Sequence, residues 1–165
     1  MCPSSTRTSA TDRVIRAARA AADIAACREL FLEYQASIGV SLCFQDFDRE
    51  LAELPGEYVA PSGGLWTVHV GEALAGCVAL RPLGAQAAEM KRLYVRPAFR
   101  GSHLGLALAE HVIRVARDIG YGTLKLDTLP SMAEAQRMYA QLGFADTSPY
   151  NDNPVDGVRF LALAL

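Results

Sequence analysis

The stretch of this 165-residue chain whose residue types promise the most chemistry is Val95-Arg96-Pro97-Ala98-Phe99-Arg100-Gly101-Ser102-His103-Leu104-Gly105. An apolar, strand-like run ends at a proline, a short loop follows, and an amphipathic pattern begins. Pro97 has no amide with which to continue a ladder, and Gly101 and Gly105 let the backbone approach a ligand closely. The first amides of a helix have no acceptor within it, and they carry the positive end of its dipole. Gly101, Ser102, His103, Leu104 and Gly105 therefore form a candidate anion cradle, with the Arg100 guanidinium at its lip. The same spacing also suits a tight turn that packs a helix onto a sheet. A dinucleotide fingerprint (G-x-G-x-x-G) and a P-loop (G-x-x-x-x-G-K-S/T) are both absent from the sequence.

Such a cradle needs a strand before the loop and a helix after it, and the apolar periodicity supplies both. Residues 87–95 read as a strand ended by Pro97. Residues 104–119 read as a helix with Leu104, Leu108, His111, Val112, Val115 and Ile119 on one stripe and Gly120 as its cap. Upstream, 13–18 is a strand candidate, and 21–38 a helix carrying Ile24, Cys27, Leu30, Phe31, Tyr34 and Ile38 up to Gly39. A shorter helix spans 46–54 and ends at Pro55-Gly56. Residues 65–70 and 74–80 are strands joined through Gly71-Glu72, which suits a two-residue hairpin. Downstream come a strand (123–128), a helix (133–142, capped by Gly143) and a closing strand (158–165). Residues 1–12 read as a polar, loose tail, leaving 13–165 as one domain. Early hairpins and late strand–helix–strand crossovers predict an α+β fold: a mixed, mostly antiparallel sheet of about six to seven strands flanked by about four helices. The crossover at 104–119 makes its flanking strands parallel, and ligands usually sit at the carboxyl ends of such strands.

Composition removes other classes. Sixteen Lys and Arg against eighteen Asp and Glu give a formal charge of -2, with no general reason to bind nucleic acid or an anionic membrane. No run of apolar residues is long enough to span a bilayer. Cys2, Cys27, Cys43 and Cys77 lie scattered, without the spacing of a zinc site or a disulfide framework, so no metal is expected. The opening residues have no apolar block of a secretory signal, and the expected compartment is the reducing cytoplasm.

The run from Val95 to Gly105 resembles the acetyl-CoA signature of the GNAT superfamily of N-acetyltransferases, Arg/Gln-x-x-Gly-x-Gly/Ala behind a Val-x-Pro strand end. Here Val95-x-Pro97 and Arg100-x-x-His103-x-Gly105 take those positions. Downstream, Ala135-Gln136-Arg137-Met138-Tyr139-Ala140-Gln141-Leu142-Gly143-Phe144 is similar to the family's Ala-x-x-Leu/Met-Tyr-x-x-x-Gly-Phe helix. The resemblance extends over about residues 13–165, because the element order agrees too. Two departures stand out. His103 replaces the middle glycine, its imidazole either an extra pyrophosphate donor or turned to solvent. Met132 stands where many relatives have an asparagine.

The resemblance implies acetyl-CoA as co-substrate and Tyr139 as general acid for the departing thiolate; the other reading of Tyr139 is an interior tyrosine. It also implies that backbone around Leu93 and Val95 bonds the pantetheine arm and polarises the thioester carbonyl. Glu89 is the candidate general base, directly or through water, since residues 89, 91, 93 and 95 share a face by the strand's period of two; pairing with Lys91, Arg92 or another surface cation is its alternative. His69 and His111 read as packed, hydrogen-bonded residues. In this fold the acceptor pocket lies between the first two helices and the loop before the last strand. Tyr34, Phe44, Phe47 and the proline-bracketed loop with Tyr150, Asn151 and Asn153 occupy those segments, though Asn and Asp between prolines also simply form turns. The expected partner is a small-molecule amine, with a homodimer as a family-level guess. The function expected is acetyl transfer to a primary amine of a small polar metabolite or amino acid by direct attack in a ternary complex. The alternatives are a silent acyl-CoA sensor and an interaction domain.

Overall fold

The computed structural model describes residues 12–165, except for the side chain of Phe44. The tail expected at 1–12 therefore lies, Asp12 apart, outside the described residues. The elements are β1 (Arg13–Ala17), α1 (Ala21–Ile38), α2 (Phe47–Glu53), β2 (Gly64–Val70), β3 (Ala73–Pro82), β4 (Ala87–Val95), α3 (Leu104–Ile119), β5 (Thr123–Thr128), α4 (Ala133–Gln141), β6 (Ala145–Asp146) and β7 (Arg159–Ala164). Single 3-10 turns sit at Cys43–Gln45 and Pro97–Phe99. The strands form one seven-stranded sheet in the order β1-β2-β3-β4-β5-β7-β6. β4 and β5 run parallel, as the α3 crossover requires, and the other neighbours are antiparallel. The two-residue β6, too short to show a period, is the strand that the sequence does not announce.

Two apolar layers cover the sheet. On one face Leu108 and Val112 of α3 pack with Val78, Leu80, Met90 and Leu126. On the other, Cys27, Leu30 and Phe31 of α1 and Phe47 of α2 pack with Cys77, Ala79 and Tyr94. The α3 stripe sits slightly off the one expected. Ile113 and Ala116 are buried, whereas Ile119 is exposed at the end of the helix.

β4 carries the feature that matters most for the site. Its register against β3 slips by one residue between Cys77 and Ala79, and Arg92 adopts a left-handed φ of 57°. One extra residue is thus inserted into β4, and the alternation of faces inverts across it. Ala88 and Met90 below the bulge pack toward α3, as do Leu93 and Val95 above it. Glu89 and Lys91 turn to the opposite face, together with Arg92 and Tyr94. The expectation that 89, 91, 93 and 95 share a face is therefore corrected: the bulge separates 89 and 91 from 93 and 95. A left-handed arginine is costly. Here it is held by Glu50, which accepts from Arg92 Nε at 2.9 Å and from Nη2 at 3.3 Å.

Past the bulge the sheet opens. β4 pairs with β5 only from Ala87 to Glu89, against Thr123 to Lys125, after which both strands run on unpaired with each other. The Arg96 amide donates to Ala75 O at 2.8 Å. By alternation, the backbone groups of Leu93 and Val95 then face the gap instead of β3.

Candidate active site

Where β4 and β5 part, a cavity of about 800 Å³ opens, walled by the ends of both strands, the start of α3, α4 and the region after α1. Its α3 end is made of backbone. Among the described residues, none of the amides of residues 101–106 has a protein acceptor. Gly101 holds a left-handed φ of 84°, and nothing lies within 4 Å of where its Cβ would be, so a ligand can reach the loop. Ser102 donates its hydroxyl to Phe99 O. Ser102 does not line this cavity, whereas Gly101, His103, Leu104 and Gly105 do. Arg100 lines it too, but its guanidinium is turned inward: Nε donates to Val95 O at 3.1 Å and the charge lies 6.0 Å from the Tyr94 ring centroid. The carbonyl of Val95 is thereby capped, while among the described residues β5 does not pair with β4 at Leu93.

His103 keeps the backbone that a glycine would give, with φ 61° at the N-cap of α3. The sequence pays for the imidazole with left-handed strain. His103→Gly is accordingly expected to raise stability by about 0.5–1 kcal/mol, the strain relieved less the extra chain entropy of glycine. Thermal melting of the ligand-free protein checks this, and a fall in melting temperature would show that the imidazole contributes contacts worth more than the strain.

Deeper in the cavity lies Tyr139, buried on α4 with its ring edge-on to Phe144 at 5.6 Å. Its hydroxyl has no hydrogen-bond partner among the described residues, and neither has that of Tyr34 across the cavity. Burial, followed by the neighbouring Tyr34 and Asp127, pushes the Tyr139 phenol above its ordinary pKa, so it keeps its proton at neutral pH. Burial likewise raises Tyr34.

The opposite end is polar. Asp127, near the carboxyl end of β5, lines the wall, and its Oδ2 accepts from Asn151 Nδ2 at 3.1 Å and Asn153 Nδ2 at 3.2 Å. Lys91, Arg92 and Gln45 line the same end, and the Lys91 ammonium donates to Gln45 Oε1 at 3.1 Å. Burial lowers the Lys91 pKa, with Glu89 acting against that shift.

The structure redistributes the residues expected from sequence. Tyr34 and Asn153 line the cavity; Asn151 and Tyr150 stand behind it, buttressing Asp127 and Glu89 respectively. The side chain of Phe44 lies outside the described residues. Phe47 is buried beneath Arg92, its ring 5.1 Å from the guanidinium carbon, and is no part of the wall. Glu89 does not line the cavity. It has no exposure, Arg81 donates to its Oε1 at 2.8 Å, and Tyr150 donates to its Oε2 at 2.7 Å. Both carboxylate oxygens are thus held by Arg81 and Tyr150 and turned away from the cavity, although Lys91 and Arg92 on the same face line it. His69 and His111 also lie off the cavity, and each has a buried ring nitrogen without a partner, so neither is fully hydrogen-bonded as expected. Asp127 and Lys91 line the cavity although neither was expected there from the sequence. A carboxylate near the carboxyl end of a strand beside a crossover is the signal that could have found Asp127.

Among the described residues, no group of three or more His, Cys, Asp or Glu side chains is placed to hold a metal ion. No helix among them is long and apolar enough to cross a membrane.

Parted parallel strands, a helix start with unclaimed amides and a lone phenol thus meet at one cavity, the arrangement an acyl-transfer enzyme needs. The comparisons agree. Residues 17–144 match the model of the acetyltransferase (GNAT) family. The chain is similar to an uncharacterised N-acetyltransferase of Schizosaccharomyces pombe, 38% identical over 154 residues, with 92% of this chain and 94% of that protein covered. Among solved structures it is similar to an acetyltransferase from Streptococcus agalactiae, at a TM-score of 0.77 and 21% identity, covering 93% of this chain and 98% of that one. It is also similar to yncA, a putative acetyltransferase from Salmonella typhimurium solved with acetyl-CoA, at a TM-score of 0.69 and 20% identity, covering 93% and 94%. The chain belongs to the GNAT acetyltransferase family and is an acyltransferase.

Proposed function

We propose that this protein transfers the acetyl group of acetyl-CoA to a primary amine of a small polar molecule, by direct attack in a ternary complex. The observation that carries this reading is the run of unclaimed amides at 101–106, in one cavity with the unpartnered Tyr139 hydroxyl. Those amides suit the pyrophosphate of the donor. The gap-facing backbone of Leu93 and Val95 suits its amide-bearing arm, and a backbone donor at the thioester oxygen is worth about 3–4 kcal/mol in the transition state. Tyr139 gives its proton to the departing thiolate. Asp127, held by two asparagine amides on one oxygen, takes the proton of the attacking amine with the other, directly or through water. Glu89 serves instead as a positioning residue, fixing Tyr150 and Arg81 beneath the acceptor wall.

Direct attack is favoured over an acyl-enzyme by the cysteines. Cys27 of α1 and Cys77 of β3 are buried between helix and sheet, and burial pushes the Cys27 thiol to about 12. Neither they nor the exposed Cys43 lines the cavity.

The test is thermal melting with CoA, followed by mass spectrometry of products from acetyl-CoA and an amine panel. Ligand at 100 times its dissociation constant should add about 2.7 kcal/mol of stability. No stabilisation would remove the reading. Stabilisation without an acetylated product from any amine would leave an acyl-CoA sensor in its place.

A further inference from the structure

The acceptor end holds a cation that the transfer step does not use. The Lys91 side chain is 6% exposed, and its ammonium has three N–H groups. One donates to Gln45 Oε1; the nearest carboxylate oxygen, Glu89 Oε1, is 4.0 Å away and already taken by Arg81. A buried ammonium is costly unless it is paired and fully hydrogen-bonded. The other charged neighbours leave the deficit in place. Arg92 is committed to Glu50, Arg81 to Glu89 and Glu57, and Asp127 lies on β5 with two asparagine amides on it. Gln45 adds a second donor: with its Oε1 occupied by Lys91, its amide N–H groups have no partner among the described residues. Lys91 and Gln45 thus offer N–H groups from one side of the acceptor end, and Asp127 offers a carboxylate from the other.

We propose that the acceptor carries a carboxylate as well as its amine, in the manner of an amino acid, with the carboxylate bound by Lys91 and Gln45 and the amine directed to Asp127. One cation and one neutral amide match a single negative charge. A phosphate dianion fits poorly, because Glu89 lies close behind the ammonium. The proposal rests on the acetyl-transfer reading only for what happens next; binding can be measured without transfer.

The experiment uses the whole protein saturated with CoA, which has no acetyl group to give. Isothermal titration compares a panel of amino acids with their own amides and with the matching decarboxylated amines. Thiol release from acetyl-CoA is followed in parallel. At least one amino acid should bind on the order of tenfold more tightly than its amide, the worth of a hydrogen-bonded ion pair. Lys91→Met should abolish that preference and leave CoA affinity unchanged; Lys91→Gln serves if the methionine variant does not fold. Equal binding of amino acid and amide, no binding of any amino acid, or a preference that survives in the folded Lys91 variant would each overturn the proposal. Brisk turnover of carboxylate-free amines, without a carboxylate preference, overturns it while acetyl transfer stands. Carboxylate-selective binding without any thiol release supports it and removes acetyl transfer instead.

Discussion

Tyr139→Phe is expected to lower kcat by about 10²–10⁴-fold, the range for a positioned proton donor, with CoA affinity unchanged. The phenylalanine keeps the ring packed against Phe144 and deletes only a hydroxyl without a partner among the described residues, so fold and cradle should survive. The pH profile supplies a second readout. Burial raises the Tyr139 pKa, and a raised pKa means the acid keeps its proton to higher pH. The alkaline limb of kcat should therefore stay flat through the ordinary tyrosine range near pH 10, instead of falling within it. Steady-state kinetics with CoA titration checks both statements. A phenylalanine variant with full turnover would return Tyr139 to the interior-tyrosine reading.

Glu89→Gln is expected to damage the fold more than the chemistry. The substitution retains an acceptor for the Tyr150 hydroxyl but leaves Arg81 and Lys91 without their shared counter-charge. Removing one partner of a buried pair costs 3–5 kcal/mol, and since Arg81 is partly exposed the lower end applies, about 3 kcal/mol. In a chain of this size that lowers the melting temperature by roughly 6–12 °C. Turnover per folded molecule, assayed well below the transition, should stay within about tenfold of the parent, less than the loss of a general base brings. A stable but inactive variant would restore Glu89 as the base.

What the sequence made legible was local. The α3 helix and the β5 strand appear at the residues their periodicity indicated, and the 101–105 cradle needs only a strand end, a tight loop and a helix start. Tyr139 was located by resemblance, which carries a position without needing the fold. The expectations that the structure altered have two origins. Period-two reasoning carries Glu89 onto the face of Leu93, but a bulge inserts a residue without any mark in composition, and here a left-handed arginine takes the place where glycine would have given it away. Lys91 and Asp127 look like ordinary strand residues until β4 and β5 separate. That separation belongs to tertiary structure, as does the bonding of Tyr150 and Asn151 behind the wall.

The inserted residue in β4 has an evolutionary corollary. In the proposed reaction it divides the strand into two half-strands, one presenting main chain to the donor's arm and the other presenting the Lys91 side chain to the acceptor. Substitutions at 45 or 91 would then retune which amine is accepted without disturbing how the thioester is held, whereas deleting the extra residue would swap the two allegiances at once. Relatives are accordingly expected to vary more at the acceptor side chains than in the length of this strand, which a comparison of their sequences would check.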